Sequence, residues 1–244
     1  MSRAKPWPEG FPGDPKKRRK NIIDDGFSAH LVAKSRFDGI MEIPVIEKPD
    51  EIIIPNGMIP FSKTHRAKDF SEFVVFYEHD LAFADVLTST EEYLPLLSKF
   101  AGVVSPDCSL YRDMPLVLQI ANTYMNRAVG SFLQSQGLYV VPNIRWGDER
   151  SFTTAELPEK IAFLGVDRGS IVSIGTHGCC KAREDKYYLK AGLEAMLEEL
   201  EPLVVLVYGP MQPAVFADYE SCTRFVRYEE WTARQRRGGR DGDR

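Results

Sequence analysis

The chain of 244 residues is 43% hydrophobic and 27% charged, which is the composition of a soluble globular protein with one large domain or two small ones. Its formal net charge of −4 and sequence pI near 5.7 exclude a general electrostatic attraction to nucleic acid or to an anionic membrane. No apolar run approaches the roughly 18 residues that span a bilayer, and residues 1–15 contain no hydrophobic signal core. We therefore expect a cytoplasmic protein without a membrane partner, in which the four cysteines are free thiols.

Both ends of the chain differ in composition from the middle. Residues 1–20 carry four prolines and a basic run, Lys16–Lys20, which predicts a disordered arm; contact with nucleic acid phosphates is the alternative interpretation. Residues 234–244 contain only Arg, Gly, Asp and one Gln, so they cannot bury apolar surface and are expected to be disordered. We expect the remaining residues, 21–233, to form a single domain.

The middle of the chain begins with an irregular, proline-rich region at 21–60, where only short or edge strands are expected. From residue 70, apolar runs of β-favouring residues alternate with segments of helical periodicity. The predicted strands are 73–76, 102–104, 138–142, 171–174, 203–207 and, at an edge, 224–228. The predicted helices are 81–88, 91–99, 115–136, 154–163 and 185–200, with Asp113 and Asp185 as N-caps of the third and the fifth. This alternation predicts an α/β fold with a mostly parallel sheet and helices packed on it, either open and doubly wound or a partial, distorted barrel.

Polar loops leave the predicted strands at 105–113, 143–150, 175–183 and 208–210. Ligands bind outside the carboxyl ends of parallel strands, so these four loops are expected to converge on one site.

Two residues in these loops are the candidates for catalysis. Asp107 follows Pro106, and its carboxylate suits a base, a nucleophile or a magnesium ligand; an Asx-turn is the structural alternative. His177 stands at a strand end, and its ordinary pKa suits proton transfer near neutral pH; a structural histidine is equally compatible with the sequence.

The same loops carry groups suited to binding a substrate. Arg145 can clamp a phosphate or carboxylate, and Trp146 can stack on a base or sugar or else serve as a core or lid aromatic. The glycines at 175 and 178 can form an anion-binding turn, with a tight structural turn as the alternative. The predicted substrate-binding residues are Arg112, Asn143, Arg145, Trp146, Asp148, Thr176, Gly178 and Tyr208. No metal-ligand set is predicted, although a divalent metal such as magnesium is left open as a cofactor.

These motifs together resemble a known family. Ser105–Asp107, Arg112–Pro115, Asn143–Arg150, Thr176–Cys179 and Val207–Gly209, in this order, are similar to the bacterial and phage family catalogued as domain of unknown function 4417. The resemblance covers roughly residues 58–210 and implies a phage or mobile-element setting, with no established activity. The polar positions that match the family pattern are Asp107, Arg112, Asp113, Arg145, Trp146, Asp148, His177 and Tyr208. Cys180 departs from it, where an apolar residue is expected.

Two hypotheses about function follow. The first is a hydrolase or transferase that acts on a phosphate-bearing nucleotide or nucleic acid, with Asp107 or His177 as the acid–base group. The second is a non-catalytic phage accessory protein that captures a host protein, a nucleic acid or a small nucleotide.

Overall fold

The computed structural model describes residues 28–177 and 182–241. The strands are β1 Phe37–Asp38, β2 Ile43–Pro44, β3 Met58–Pro60, β4 Phe73–Val75, β5 Gly102–Val104, β6 Val140–Val141, β7 Ile171–Gly175, β8 Val204–Tyr208 and β9 Arg224–Tyr228. The helices are α1 Ala84–Thr88, α2 Thr90–Leu97, α3 Leu116–Ser135, α4 Glu149–Phe152, α5 Arg183–Leu200, α6 Pro213–Phe216 and α7 Trp231–Asp241, with 3₁₀ turns at Phe61–Arg66, Asp80–Ala82 and Ala217–Tyr219. The predicted arm at 1–20 lies outside the described residues.

The sheets are parallel and follow chain order. One has the order β3-β4-β5-β6 and the other β7-β8-β9, and a single parallel bridge between Asn143 and Ser173 joins their edges. Strands β1 and β2 form a separate antiparallel pair in the proline-rich region. The predicted α/β fold with a mostly parallel sheet is thus confirmed. A doubly wound sheet reverses its strand order, and neither of these sheets does; the described strands also form no closed barrel.

Alternate residues of the strands point to two separate apolar layers. Val74 of β4 packs with α1, α2 and α3, whereas its neighbours Phe73 and Val75 face the opposite way. In β8, Val205 packs with α5 and α6, and Leu206 faces the inner layer. The inner layer holds apolar side chains from both sheets and none from a helix, so the two helix-free faces pack on each other. This explains why these strands read as continuous apolar runs.

The two longest helices agree with their predicted spans, but their starts differ. Helix α3 has Pro115 at its N-cap with no side-chain cap, so the prediction that Asp113 caps it is wrong. Asp185 lies in the first turn of α5, where its carboxylate accepts the backbone N–H of Ala182 at 2.9 Å; it stabilises the helix start from inside, not as the N-cap.

The helix predicted at 154–163 is wrong. Asp148 accepts the N–H of Arg150 and starts the short helix α4 upstream, at Glu149. That helix ends at Phe152, and the chain continues in bends and turns through Leu164. Pro158, in the middle of the predicted span, disfavours a helix there because it lacks a backbone N–H and clashes with the preceding turn.

Helix α7 occupies part of the segment predicted as a disordered tail. Trp231 is 9% exposed and packs in the layer around α3, and Arg234 pairs with Glu72 at 2.5 Å. This anchor, together with arginine and glutamine, which favour helices, is the reason that the helix continues to Asp241. Within the described ranges no helix has the length and apolar character needed to cross a bilayer.

Candidate functional site

A cleft of about 330 Å³ opens at the carboxyl ends of β5, β6 and β7, beside the start of α5. The residues that line it are Asp107, Leu110, Tyr111, Arg112, Ile144, Arg145, Trp146, Gly147, Ile174, Gly175, His177, Asp185, Tyr188 and Leu189. Three of the four loops that were expected to converge therefore do so. Residues 208–210 are not among those that line the cleft.

Asp107 is buried at the floor of this cleft, with 6% of the residue exposed. Its Oδ1 accepts a hydrogen bond from Asn143 Nδ2 at 2.8 Å, and its Oδ2 accepts one from Arg145 Nη1 at 2.9 Å. Burial raises the pKa of the Asp107 carboxyl, although Arg145 and Asn143 both oppose the rise. A carboxyl with fixed geometry and a raised pKa is suited to acid–base work.

Asn143 fixes the orientation of Asp107 because the rest of its own hydrogen-bonding groups are also occupied. Its backbone N–H donates to Ser105 Oγ at 2.8 Å, and its side-chain Oδ1 accepts from the Tyr77 hydroxyl at 3.0 Å. Its carbonyl accepts from Asn126 Nδ2 at 3.1 Å and from Arg127 Nη1 at 2.8 Å. Asn143, expected to bind substrate, is fully buried and holds the catalytic candidate in place.

Arg127 is a buried cation beneath this network. Its guanidinium donates to the carbonyls of Leu164 at 2.9 Å and Ala162 at 3.1 Å, in addition to Asn143, so backbone carbonyls supply most of its acceptors. Burial lowers the pKa of Arg127 to about 10. Asn126 and Arg127 both lie on α3, and their hydrogen bonds give them a structural role beneath the cleft.

Tyr77 is a site residue that the sequence prediction missed. Its partly buried ring stacks on Tyr208 with a centroid separation of 5.2 Å, and its hydroxyl lies 2.7 Å from Ser173 Oγ. Burial, followed by the nearby charge of Asp107, raises the pKa of the Tyr77 hydroxyl well above its ordinary value. The sequence feature that could have identified Tyr77 is its position directly after the apolar run of β4. A polar group at that position reaches the same edge of the sheet as Asp107.

His177 stands at the rim of the cleft and not at its floor. Its side chain is 66% exposed, and its Nδ1 lies 2.6 Å from Glu230 Oε1. Glu230 precedes α7, so this pair also connects the cleft to the C-terminal helix. Glu230 is the second site residue that no motif indicated.

Aromatic side chains form the opposite wall. The Trp146 indole donates to the carbonyl of Tyr188 at 3.0 Å, and the ring packs directly against Gly192 of α5. Arg112 lies over the Tyr188 ring, 5.2 Å from its centroid. Tyr111, which is 57% exposed, completes this side of the opening. Trp146 is thus placed where its ring can meet a ligand, while its N–H is held by the protein.

Several predicted substrate-binding residues form hydrogen bonds or ion pairs within the protein. Asp148 caps α4 and pairs with Arg150 at 2.7 Å; burial raises the pKa of Asp148, but the hydrogen bonds from Arg150 outweigh it and the net pKa is lowered. Thr176 is buried and donates to the carbonyl of Pro210 at 2.7 Å. Tyr208 is also buried, and its hydroxyl accepts the backbone N–H of Trp231 at 3.0 Å. Gly178 lies outside the described residues.

The two arginines that line the cleft both face carboxylates. Arg145 pairs with Asp107, and Arg112 pairs with Glu184 and Asp185, each at 3.1 Å. The side chain of Arg150, in the same loop as Arg145, donates to Asp148 and to two backbone carbonyls. Within 28–177 and 182–241 no three His, Cys, Asp or Glu side chains lie together as a metal site.

The fold and the site together define an α/β protein with two parallel sheets in chain order and a ligand-sized cleft at their carboxyl ends. The chain belongs to the family described as "Domain of unknown function (DUF4417)", whose model matches residues 35–229. This confirms the resemblance and extends it beyond 58–210.

Two curated phage proteins are similar to the chain. The Gene 1 protein of Mycobacterium phage D29 is 31% identical over 137 residues, which cover 56% of this chain and 48% of that protein. The Gene 1 protein of Mycobacterium phage L5 is 26% identical over 167 residues, which cover 68% of this chain and 69% of that protein. The chain thus spans about half the length of the first relative and about two thirds of the second. No solved structure matches it.

Proposed function

We propose that the cleft is the active site of a phage-related hydrolase or transferase that acts on a phosphate-bearing nucleotide, free or as a unit of nucleic acid. The observation that carries this proposal is the Asp107 carboxyl, which is buried in a ligand-sized cleft and held by Asn143 and Arg145. A charged group is costly to bury, and chemistry at that position is one reason for a protein to keep it.

The surroundings of Asp107 suit this substrate class. Trp146 and Tyr188 offer ring faces for a nucleobase on one wall. His177 stands across the same cleft, with Glu230 fixing the orientation of its imidazole, and supplies a second proton-transfer group. Asp107 acts as the base or nucleophile at the floor, and His177 exchanges protons at the rim.

The test combines ligand stabilisation with turnover. Nucleotides and short DNA and RNA oligomers, with and without magnesium, are screened for a shift in melting temperature, and each ligand that binds is then assayed for conversion. We expect Asp107→Asn to keep binding and to lower turnover by about 10²-fold or more, since positioned acid–base groups contribute about that much. Asp167→Asn is the matched control because Asp167 also pairs with an arginine, Arg36 at 2.6 Å, away from the cleft. An absence of binding across the whole panel contradicts the proposal.

A non-catalytic binding protein is the second candidate. The Asp107–Arg145 ion pair, 2.9 Å apart and mostly buried, would also give a binding cleft a rigid floor without any chemistry. In that case a ligand that stabilises the protein remains unchanged after prolonged incubation, and Asp107→Asn alters only affinity. A host protein or nucleic acid would then be sought as the partner.

A further inference from the structure

The cleft is one of two adjoining compartments with a common wall. The aromatic compartment is the cleft of about 330 Å³ described above, and the polar compartment, about 350 Å³, is lined in addition by Tyr77, Glu78, His79 and Ser109. The residues common to both compartments are Asp107, Tyr111, Arg145, Gly175 and His177. A ligand that fills both must pass these shared residues, and Asp107 is one of them.

The charges of the two compartments are close to balanced. In the aromatic compartment the positively charged Arg112 pairs with the negatively charged Asp185, and Arg145 pairs with Asp107. In the polar compartment Glu78, whose carboxylate accepts from the backbone N–H and hydroxyl of Ser62, adds a further negative charge. No lysine is among the residues in 28–177 and 182–241 that line either compartment. A phosphate entering here would compete with carboxylates that the arginines already hold.

The chemistry of the aromatic compartment favours a flat, uncharged group. Trp146 and Tyr188 present rings, and the aliphatic side chains that complete the wall are Leu110, Ile144, Ile174 and Leu189. The volume lies at the lower end of the range for small-molecule sites, about 300–1,000 Å³, which suits a single heterocycle better than a whole nucleotide. Stacking on such rings does not require charge.

We propose that the aromatic compartment takes the uncharged nucleobase of the ligand, that the sugar reaches the polar compartment across Asp107, and that the phosphates remain outside the cleft. This inference rests on the proposed function and specifies which part of the nucleotide the site recognises. The sequence suggested that arginines clamp an anion, whereas this inference assigns the cleft to recognition of a neutral heterocycle. It also fits a nucleotide within a nucleic acid strand, whose phosphates continue into solvent.

The first experiment compares nucleosides with their 5′-monophosphates and 5′-triphosphates by calorimetric titration of the full chain at 50 mM and 300 mM salt. The nucleosides are adenosine, guanosine, cytidine and uridine. We expect the preferred nucleoside to bind within about threefold of its phosphorylated forms, with little dependence on salt, because the two arginines among the described residues of the cleft already pair with carboxylates. Affinity that increases more than about tenfold with each phosphate, or binding of nucleotides but not of nucleosides, overturns the inference and leaves the proposed function standing. Failure of the whole series to bind also overturns the inference, whereas the proposed function is contradicted only if the DNA and RNA oligomers of its own panel fail to bind as well.

The second experiment tests the aromatic wall by substituting two adjacent tyrosines of α5, one inside the cleft and one outside it. Tyr188 lines the cleft, whereas Tyr187 is 61% exposed, packs edge-on against Tyr188 and is not among the lining residues. We expect Tyr188→Leu to weaken binding of the preferred nucleoside about tenfold, the size of one base–aromatic stack. Tyr187→Leu should change it less than twofold.

Both variants should remain folded, because the Trp146 indole bonds to the backbone carbonyl of Tyr188 and not to its ring. Unchanged melting temperatures verify this before the titration. Equal losses in both variants, or no loss in Tyr188→Leu, overturn the assignment of the base to this compartment.

Discussion

The floor and the rim of the cleft hold their titratable groups in opposite ways. At the floor, Asp107 is 6% exposed and shares a buried network with Asn143, Tyr77 and Arg127. At the rim, His177 has a side chain that is 66% exposed, and its imidazole pairs with Glu230 beside solvent. Electrostatic interactions are strong where water is excluded and weak where it screens them. The floor should therefore determine stability and the protonation of the site, and the rim should affect activity with little effect on folding.

The largest effect expected from this comparison is at Arg127. Arg127→Met keeps the length of the side chain but leaves the buried carbonyls of Asn143, Ala162 and Leu164 without their guanidinium donor. We expect the free energy of unfolding to fall by about 3–5 kcal/mol, because each unsatisfied buried acceptor costs about 1–3 kcal/mol. Urea denaturation followed by circular dichroism measures this.

Arg168→Met is the matched control. Arg168 pairs with Glu201 on the surface, with both side chains more than half exposed, so its loss should cost less than about 1 kcal/mol. Similar losses in both variants would show that the floor is not a cooperative network.

The wall between floor and rim gives the next largest effect. A Cβ atom added at Gly192 would overlap the Trp146 indole, so Gly192→Ala must displace that ring and its hydrogen bond to Tyr188. Alanine normally stabilises a helix interior relative to glycine, by about 0.5–1 kcal/mol. Here we expect a net loss of about 1–3 kcal/mol from overpacking, together with a change in tryptophan fluorescence. A stabilised variant with an unchanged spectrum would contradict the position of Trp146 in the wall.

The periodic parts of this architecture could be predicted from the sequence. Continuous apolar runs gave the strands, helical spacing gave α3 and α5, and polar residues after strands placed Asp107 and Arg145 in one cleft. These predictions need only local information, because the side-chain period of a segment and its position after a strand are both visible in the chain.

The surroundings of several candidate site residues depend on contacts between distant segments. Thr176 and Tyr208 follow strands just as Asp107 does, but they are buried because Pro210 and Trp231 pack over them. Asn143 is the centre of a buried hydrogen-bond network because Ser105 and Arg127 approach it from other elements. No local pattern reports such partners, and for the same reason Tyr77 and Glu230 were missed.

A third prediction uses pH to distinguish the Asp107 carboxyl, at the floor of the cleft, from a carboxylate with a structural role. Burial raises the pKa of Asp107 in the folded protein above its unfolded value of about 3.9, so the folded state binds this proton more tightly. The stabilisation is present below that unfolded value and is lost as pH rises through the raised pKa. The stability of the wild type relative to Asp107→Asn should therefore fall with rising pH, by at most about 1.4 kcal/mol per pH unit.

Asp148 provides the comparison of opposite sign. Its net pKa is lowered by Arg150, so the stability that it contributes is present above the unfolded pKa and is lost as pH falls through the folded one. Relative to Asp148→Asn, the wild type should gain stability with rising pH. Denaturation curves from pH 3 to 8 for the three proteins measure both slopes. Two slopes of the same sign would contradict the assignment of Asp107 as a desolvated carboxyl.

The smallest effect on stability is expected at the rim, where the pair of His177 and Glu230 can be tested by a double-mutant cycle. His177→Ala, Glu230→Gln and the combined variant should give a coupling energy below about 1 kcal/mol in unfolding, because exposed ion pairs contribute little. If His177 exchanges protons with the ligand and Glu230 only orients it, His177→Ala should lower turnover more than Glu230→Gln does. The combined variant should then be no slower than His177→Ala, since an orienting residue has no effect once its partner is absent. A coupling energy of several kcal/mol would instead make the rim part of the folded core, and the contrast with the floor would no longer hold.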